Sequence, residues 1–220
     1  MNVVYGNILL MMECKICDGK YPESKHNFDE CYSLDPYWDI MVMSTNFDIL
    51  NEPHVIDWFN CIKTHDNNNA EKKWGNELIK KYCGSKKNLT VQWTTRLSEY
   101  VVNLLLILNG HTVVKKQKHK GYNPDIETTD YIYEVKCRNY TVPGTAGEKI
   151  LGVSKKYADV PTLFKKNVVI VLCAYQELEG INNFNVFGGG SDILKKMLEF
   201  DKNMGFTYMR CSDLLKIIIS

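Results

Sequence analysis

The residues of this sequence best suited to chemistry are Asp125 and the triplet Glu134-Val135-Lys136. Asp125 follows Asn123-Pro124 and opens a short extended piece, a turn is predicted around Thr128 to Asp130, and Tyr131 to Cys137 alternates and is rich in β-formers, which makes it a strand. Side chains two apart on a strand project from the same face. Glu134 and Lys136 therefore point together, and a hairpin brings Asp125 alongside Glu134. Two neighbouring carboxylates are ligands for a hard divalent cation, and magnesium is the usual occupant when the remaining oxygens come from phosphate and water. Such a metal lowers the pKa of a bound water and polarises a phosphoryl oxygen, while a lysine stabilises developing charge or helps orient the water. On spacing alone the pattern also fits a surface hairpin with alternating charges. Glu127 and Asp130, between the paired acids, read as solvated turn residues.

A second cluster is Cys14, Cys17, His26 and Cys31. Two cysteines separated by two residues hold one tetrahedral ion between them, and a histidine with a third cysteine completes a closed structural zinc site. The alternative is a pair of free thiols with an unrelated His26 on a polar loop. His54 and Cys61 are a substitute pair if His26 is not a ligand. The chain has eight cysteines and its first residues lack a basic leader and a small-residue cleavage site, so no signal peptide is read. That combination argues for thiols or metal ligands rather than a disulfide framework. Cys61, Cys83, Cys137, Cys173 and Cys211 are scattered and read as small buried or half-buried side chains.

The elements that must position the first cluster follow from periodicity. Glu71 to Tyr82 is helical, with Trp74, Leu78, Ile79 and Tyr82 at helical spacing. Polar breaks precede and follow it, and a domain boundary is expected near 84–92, which divides the chain into an N-terminal region 1–90 and a core 91–220. Thr94 opens a helix that runs to about Leu108 and stops at Asn109-Gly110. A strand is expected over His111 to Lys115, then a basic connection with Lys115, Lys116, Lys118 and Lys120. Residues 148–158 form a helix, Asn167 to Tyr175 is the continuous apolar run of a buried central strand, and Ser191 to Phe200 is an amphipathic helix. The fold class is α/β. On the last helix Ile193, Leu194, Met197 and Leu198 offer apolar surface, for packing on the sheet or for contact with another chain.

Asp125, with Glu134-Val135-Lys136 after eight intervening residues, resembles the active-site signature of the PD-(D/E)xK nucleases, the superfamily of most type II restriction endonucleases. The stretch Gly144 to Gly152 and the following Lys155 to Pro161 are similar to a restriction-enzyme-like group in which this loop and helix lie between the catalytic strand and a buried strand. The resemblance covers roughly residues 94–176. It implies a restriction-endonuclease-like core, a mixed central sheet flanked by helices; the smaller N-terminal region, where the spacing of Cys14, Cys17, His26 and Cys31 allows a zinc site, lies outside the resemblance. The resemblance implies Asp125, Glu134 and Lys136 as catalytic residues, the first two as magnesium ligands, with Glu99, early in the first core helix, reaching the metal site. A glutamate there is also favourable simply at the positive end of a helix. Lys149, on the loop that carries the likeness, and Lys155 and Lys156 are implied as contacts to the DNA backbone. The activity implied is magnesium-dependent hydrolysis of double-stranded DNA by a sequence-specific endonuclease acting as a homodimer. A repair nuclease or junction resolvase uses the same core, and a non-catalytic zinc-containing DNA-binding protein is the reading from another class. His111 and His119 flank the site in sequence but are not needed by a metal-plus-lysine scheme.

Composition agrees with one soluble domain or a domain with an appendage: 220 residues, 45% hydrophobic and 24% charged. That excludes wholesale disorder and rod-like repeats. The longest apolar stretch, around Tyr100 to Leu108, contains Asn103 and is shorter than the roughly 20 residues of a membrane span, so no membrane partner and an intracellular location are expected. Net charge is +1, but residues 94–160 carry 10 Lys+Arg against 7 Asp+Glu. The basic part and the candidate chemistry coincide.

Overall fold

A helix that is apolar on more than one side has to be enclosed, and a strand that is apolar at every position has to be central. Both occur here. The computed structural model describes residues 46–83, 92–116, 118–142 and 148–219, and the chain from Thr45 onward forms one compact unit. Helices on either side of the boundary expected at residues 90 and 91 thus belong to the same unit. Cys14, Cys17, His26 and Cys31 lie outside the described residues.

A 3-10 turn over Phe47–Asn51 and a short helix α1, Val55–Phe59, bury Ile49, Val55, Trp58 and Phe59. Helix α2, Asn68–Tyr82, starts at Asn67, whose side chain accepts a hydrogen bond from the Ala70 amide at 3.0 Å. This satisfies one of the first-turn N–H groups that have no partner within the helix. Gly75 on α2 brings the backbone close to Trp93, since a Cβ there would stand 2.2 Å from the indole ring. Helix α3, Trp93–Leu108, buries Leu97, Tyr100, Val101, Val102, Leu104, Leu105 and Leu106. Its end is a Schellman turn: the Gly110 amide donates to the Ile107 carbonyl and the His111 amide to the Leu106 carbonyl, each at 3.0 Å. Gly110 supplies the required left-handed φ of 82°.

Four strands form one sheet in the order β1-β2-β3-β4: β1 Ile126–Glu127, β2 Tyr131–Arg138, β3 Asn167–Ala174 and β4 Phe206–Arg210. β1 runs antiparallel to β2, with Ile126 opposite Tyr133, and β2, β3 and β4 are parallel, with Glu134 beside Ile170 and Ile170 beside Tyr208. The protein is therefore mixed α/β, a four-stranded mixed sheet flanked by helices. Short helices α4 Glu148–Leu151, α5 Val153–Lys156 and α6 Val160–Phe164 connect β2 to β3, and α7 Tyr175–Asn182 and α8 Asp192–Asn203 connect β3 to β4. Helix α9, Cys211–Ile219, follows β4. β3 is buried from Val168 to Ala174, and each fully buried Val, Leu or Ile contributes about 1.5–3 kcal/mol. Ile132, Val168, Ile170, Leu172 and Phe206 share a core with Ile150, Val153 and Val160 of the crossover helices. The side chain of Asn109, just beyond α3, donates to the Leu214 carbonyl of α9 at 3.0 Å.

Several expectations need correction. The strand expected over His111 to Lys115 is a single bridge between Val113 and Thr128, flanked by hydrogen bonds from the Val114 amide to the Glu127 carbonyl at 2.9 Å and from the Thr129 amide to the Thr112 carbonyl at 3.0 Å. The helix expected over 148–158 is split at Gly152 into α4 and α5. Glu127 is not a solvated turn residue. It is buried and accepts a hydrogen bond from Lys166 at 2.7 Å, and Lys166 also donates to the Thr128 carbonyl at 2.8 Å. The apolar face of α8 divides: Leu198 packs on the core, while Ile193 is 73% and Met197 53% exposed. The five scattered cysteines are free thiols, three of them buried. No helix among the described residues is long and apolar enough to cross a membrane.

Candidate functional site

The β1–β2 hairpin gathers the three residues singled out by spacing. Thr128 closes the turn: its amide and hydroxyl both point to the Tyr131 carbonyl, at 2.9 and 3.2 Å. The ladder that follows puts Asp125, just before β1, next to Glu134. The Asp125 carboxylate accepts a hydrogen bond from the Val135 amide at 2.8 Å. Lys136, two residues from Glu134 on the same strand face, donates to the Glu134 carboxylate at 3.0 Å and lies 3.6 Å from that of Asp125. Glu134 is buried, and Asp125 and Lys136 are half-buried. Lys116 reaches the Asp125 carbonyl at 3.5 Å.

Burial and mutual repulsion set the charges. Burial, then the neighbouring Asp125, pushes Glu134 up to about 7, against the pull of Lys136. Glu99 on α3 is pushed up to about 8 by burial and then by Asp125, with Lys116 and Lys136 acting in the opposite sense. Burial alone lowers the pKa of Lys136, but Asp125 and Glu134 outweigh it and hold the ammonium above its ordinary range. Three carboxyl groups thus feel one another around one lysine, and two of them resist ionisation.

That is the electrostatic condition a divalent cation relieves. Magnesium characteristically takes one or two carboxylates and fills its octahedron with phosphate oxygens and water, and Asp125 and Glu134 match that donor set in type and number. Among the described residues no three His, Cys, Asp or Glu side chains are grouped as a ready-made metal cage. An all-protein site of the calcium or zinc kind is thus not formed by them. Of the substitute pair, the Cys61 thiol donates to the Ala174 carbonyl at 3.7 Å and His54 stands against His65, ring centroids 5.4 Å apart.

Lys155 and Lys156 are exposed on α5, and the Lys156 ammonium lies 4.8 Å from the Tyr157 ring centroid. Lys149 falls on α4. His111 packs edge-on against Tyr133 and His119 against Phe164; neither appears among the groups that perturb the carboxylates.

Spacing missed how the segment after β2 is held. Glu71 of α2 is buried and accepts hydrogen bonds from the Trp58 indole at 2.7 Å, the Tyr140 amide at 3.0 Å and the Thr141 amide at 3.2 Å. Arg138 pairs with Glu179 and donates to the Val142 carbonyl at 2.8 Å. Two carboxylates from different helices therefore anchor the chain as it leaves Lys136. In sequence Glu71 is an ordinary first-turn acid, and no short motif reports a partner 69 residues away. Neither the family models, nor the curated proteins, nor the solved structures contain a match to this chain.

Proposed function

We propose that this protein is a magnesium-dependent endodeoxyribonuclease that hydrolyses phosphodiester bonds in double-stranded DNA, with a restriction-endonuclease-like core and the sequence specificity of a type II restriction enzyme. The observation that carries the reading is the convergence of Asp125, Glu134 and Lys136 at the end of a hairpin, with Glu99 close enough to be perturbed by Asp125.

In this reading Asp125 and Glu134 hold the metal, which when bound acidifies a water and withdraws charge from the phosphoryl oxygen. The Lys136 ammonium, kept protonated by its two carboxylate neighbours, stabilises the negative charge that grows on the phosphoryl oxygens. Glu99, largely protonated at neutral pH, holds or accepts a proton at the edge of the site. The Val135 amide fixes the orientation of Asp125. Lys149, Lys155 and Lys156 contact the phosphate backbone, adding affinity that falls with salt and carries no sequence information. Two-fold dimers place one such centre on each strand of a symmetric site, so in this reading the acting species is a homodimer. The cluster Cys14, Cys17, His26 and Cys31 holds a structural zinc.

The deciding experiment is plasmid nicking by the purified protein with magnesium and with EDTA. Wild-type protein is expected to cut only with the metal, Glu134→Ala not to cut, and Lys136→Ala to be slowed by about 10²–10³-fold, the usual cost of losing one charge-stabilising group. Discrete fragments from a defined DNA support the restriction reading, and preference for branched DNA moves it to a resolvase. Wild-type cutting by Glu134→Ala, or none by the wild type, overturns it.

A further inference from the structure

One register runs the length of the hairpin that carries Asp125 into the site. Val113 is bridged to Thr128 at its base and His119 to Tyr122 at its tip, where Lys120 and Gly121 turn the chain with left-handed φ angles of 46° and 89°. Both ends are tied by hydrogen bonds. The Val114 amide donates to the Glu127 carbonyl at 2.9 Å, and His119 and Tyr122 exchange backbone bonds at 3.0 and 2.9 Å. Lys116 lies midway between the two bridges on one arm and Asp125 midway on the other, so the two stand opposite each other. Opposite residues of antiparallel arms project to the same face. The register of β1 with β2, Ile126 opposite Tyr133, continues one residue further to Asp125 opposite Glu134. Lys116, Asp125 and Glu134 therefore form one lateral row, with Lys116 at its outer edge.

The contact agrees with that register. The Lys116 ammonium lies 3.5 Å from the Asp125 carbonyl, while Lys136 lies 3.6 Å from the Asp125 carboxylate. Asp125 thus has one ammonium at its backbone oxygen and another at its side chain. In the basic run before it, Lys115, Lys118 and Lys120 are exposed, whereas Lys116 is half-buried. Holding a long side chain against the sheet costs rotamer entropy, which one long hydrogen bond to a carbonyl does not offset. An ammonium has three donors, and the carbonyl takes one.

We infer that Lys116 is a second substrate-contacting cation of the centre, its ammonium holding a non-bridging oxygen of a backbone phosphate of the strand being cut, on the side of Asp125 away from Lys136. The inference rests on the nuclease reading for the identity of that strand. With Asp125 and Glu134 matched by a divalent cation, the two ammoniums are left to face a strand that carries a negative charge at every phosphate. Lysine suits such a contact as a point charge. A backbone contact leaves the base pairs of a duplex intact and carries no base information. Lys116 therefore adds to binding of the substrate, and Lys136 to the charge that develops during the reaction.

The test is binding of a short fluorescent duplex of mixed sequence to the full chain in EDTA, over a range of salt concentrations. Lys116→Gln, which still donates to a carbonyl, should weaken binding about tenfold at low salt, the scale of one charge-assisted hydrogen bond. It should also reduce the slope of log affinity against log salt by about 0.9, the value of one phosphate contact. Its Tm should match the wild type, and Lys116→Arg should restore both binding readouts. Lys118→Gln, on the exposed part of the same run, should leave them unchanged. With magnesium, plasmid cleavage by Lys116→Gln should show the loss in KM and keep kcat. An unchanged salt slope, a lowered Tm with unchanged binding, an equal loss in Lys118→Gln, a loss confined to kcat, or no duplex binding by the wild type overturns the contact. The two readings separate in the same experiment. Wild-type cleavage with Lys116→Gln indistinguishable from it removes the contact alone, and the expected binding loss in a protein that does not cut removes the nuclease and keeps the contact.

Discussion

The Asp125 carboxylate accepts a hydrogen bond from the amide of Val135 at 2.8 Å, so the residue that starts the hairpin is fastened to the backbone between Glu134 and Lys136. One oxygen does structural duty while the group as a whole supplies charge. The two roles separate by substitution. Asp125→Asn keeps an acceptor for Val135 and removes the charge, whereas Asp125→Ala removes both and strands an N–H group, at a cost of about 1–3 kcal/mol. Both should abolish metal-dependent cleavage, but only the alanine variant should lower stability in urea denaturation. Equal destabilisation by the two would contradict the backbone role.

The raised carboxyls predict a pH dependence. Glu134 at about 7 and Glu99 at about 8 both lie above the ordinary carboxyl value of 4.5. A group whose folded-state pKa is raised stabilises the protein below its unfolded pKa, and that contribution is lost as pH rises through the folded value. The Tm of metal-free protein should therefore fall between about pH 5 and pH 8.5, and Glu99→Gln should flatten the fall. Magnesium competes with the same protons, so its stabilising effect should grow over that range. Thermal unfolding with and without magnesium reads both, and a metal-free Tm that climbs across the range would count against the assignment.

Glu71 should matter for the site without touching it. Glu71→Ala strands the Trp58 indole and the Tyr140 and Thr141 amides, and loss of such a buried network costs on the order of 3 kcal/mol or more. Chemical denaturation measures the loss. Hydrogen exchange should rise at Tyr140 and Thr141 first; unchanged exchange there would show that the anchor lies elsewhere.

Purified protein should carry about one tightly held zinc if Cys14, Cys17, His26 and Cys31 are its ligands. Closed zinc sites contribute folding energy, so a strong chelator should lower the Tm before it affects magnesium-dependent activity. Elemental analysis that finds no zinc in protein prepared without chelators removes the site.

Assembly is open to sedimentation. Ile193, Met197, Phe200 and Met204 are exposed along and just beyond α8, and a dimer is expected at least on a cognate duplex. A monomer that cuts both strands of a palindrome at a rate independent of protein concentration would point to sequential nicking.

Period and spacing alone determined the hairpin, the pairing of Glu134 with Lys136 on one face, the burial of β3 and the stop of α3 at Asn109-Gly110. Each depends on neighbours a few residues apart, where strand alternation and left-handed glycine are local rules. Tertiary structure decided what those rules do not reach. β4 is short and half-buried, and its pairing comes from β3 rather than from a strong pattern of its own. Glu127 reads as a turn acid until Lys166, 39 residues later, arrives to pair with it. Glu71 becomes the acceptor for Tyr140 and Thr141 only when α2 packs beside the end of β2. The rise of Glu99 and Glu134 comes first from burial and then from Asp125, quantities that exist only once the chain has closed around them.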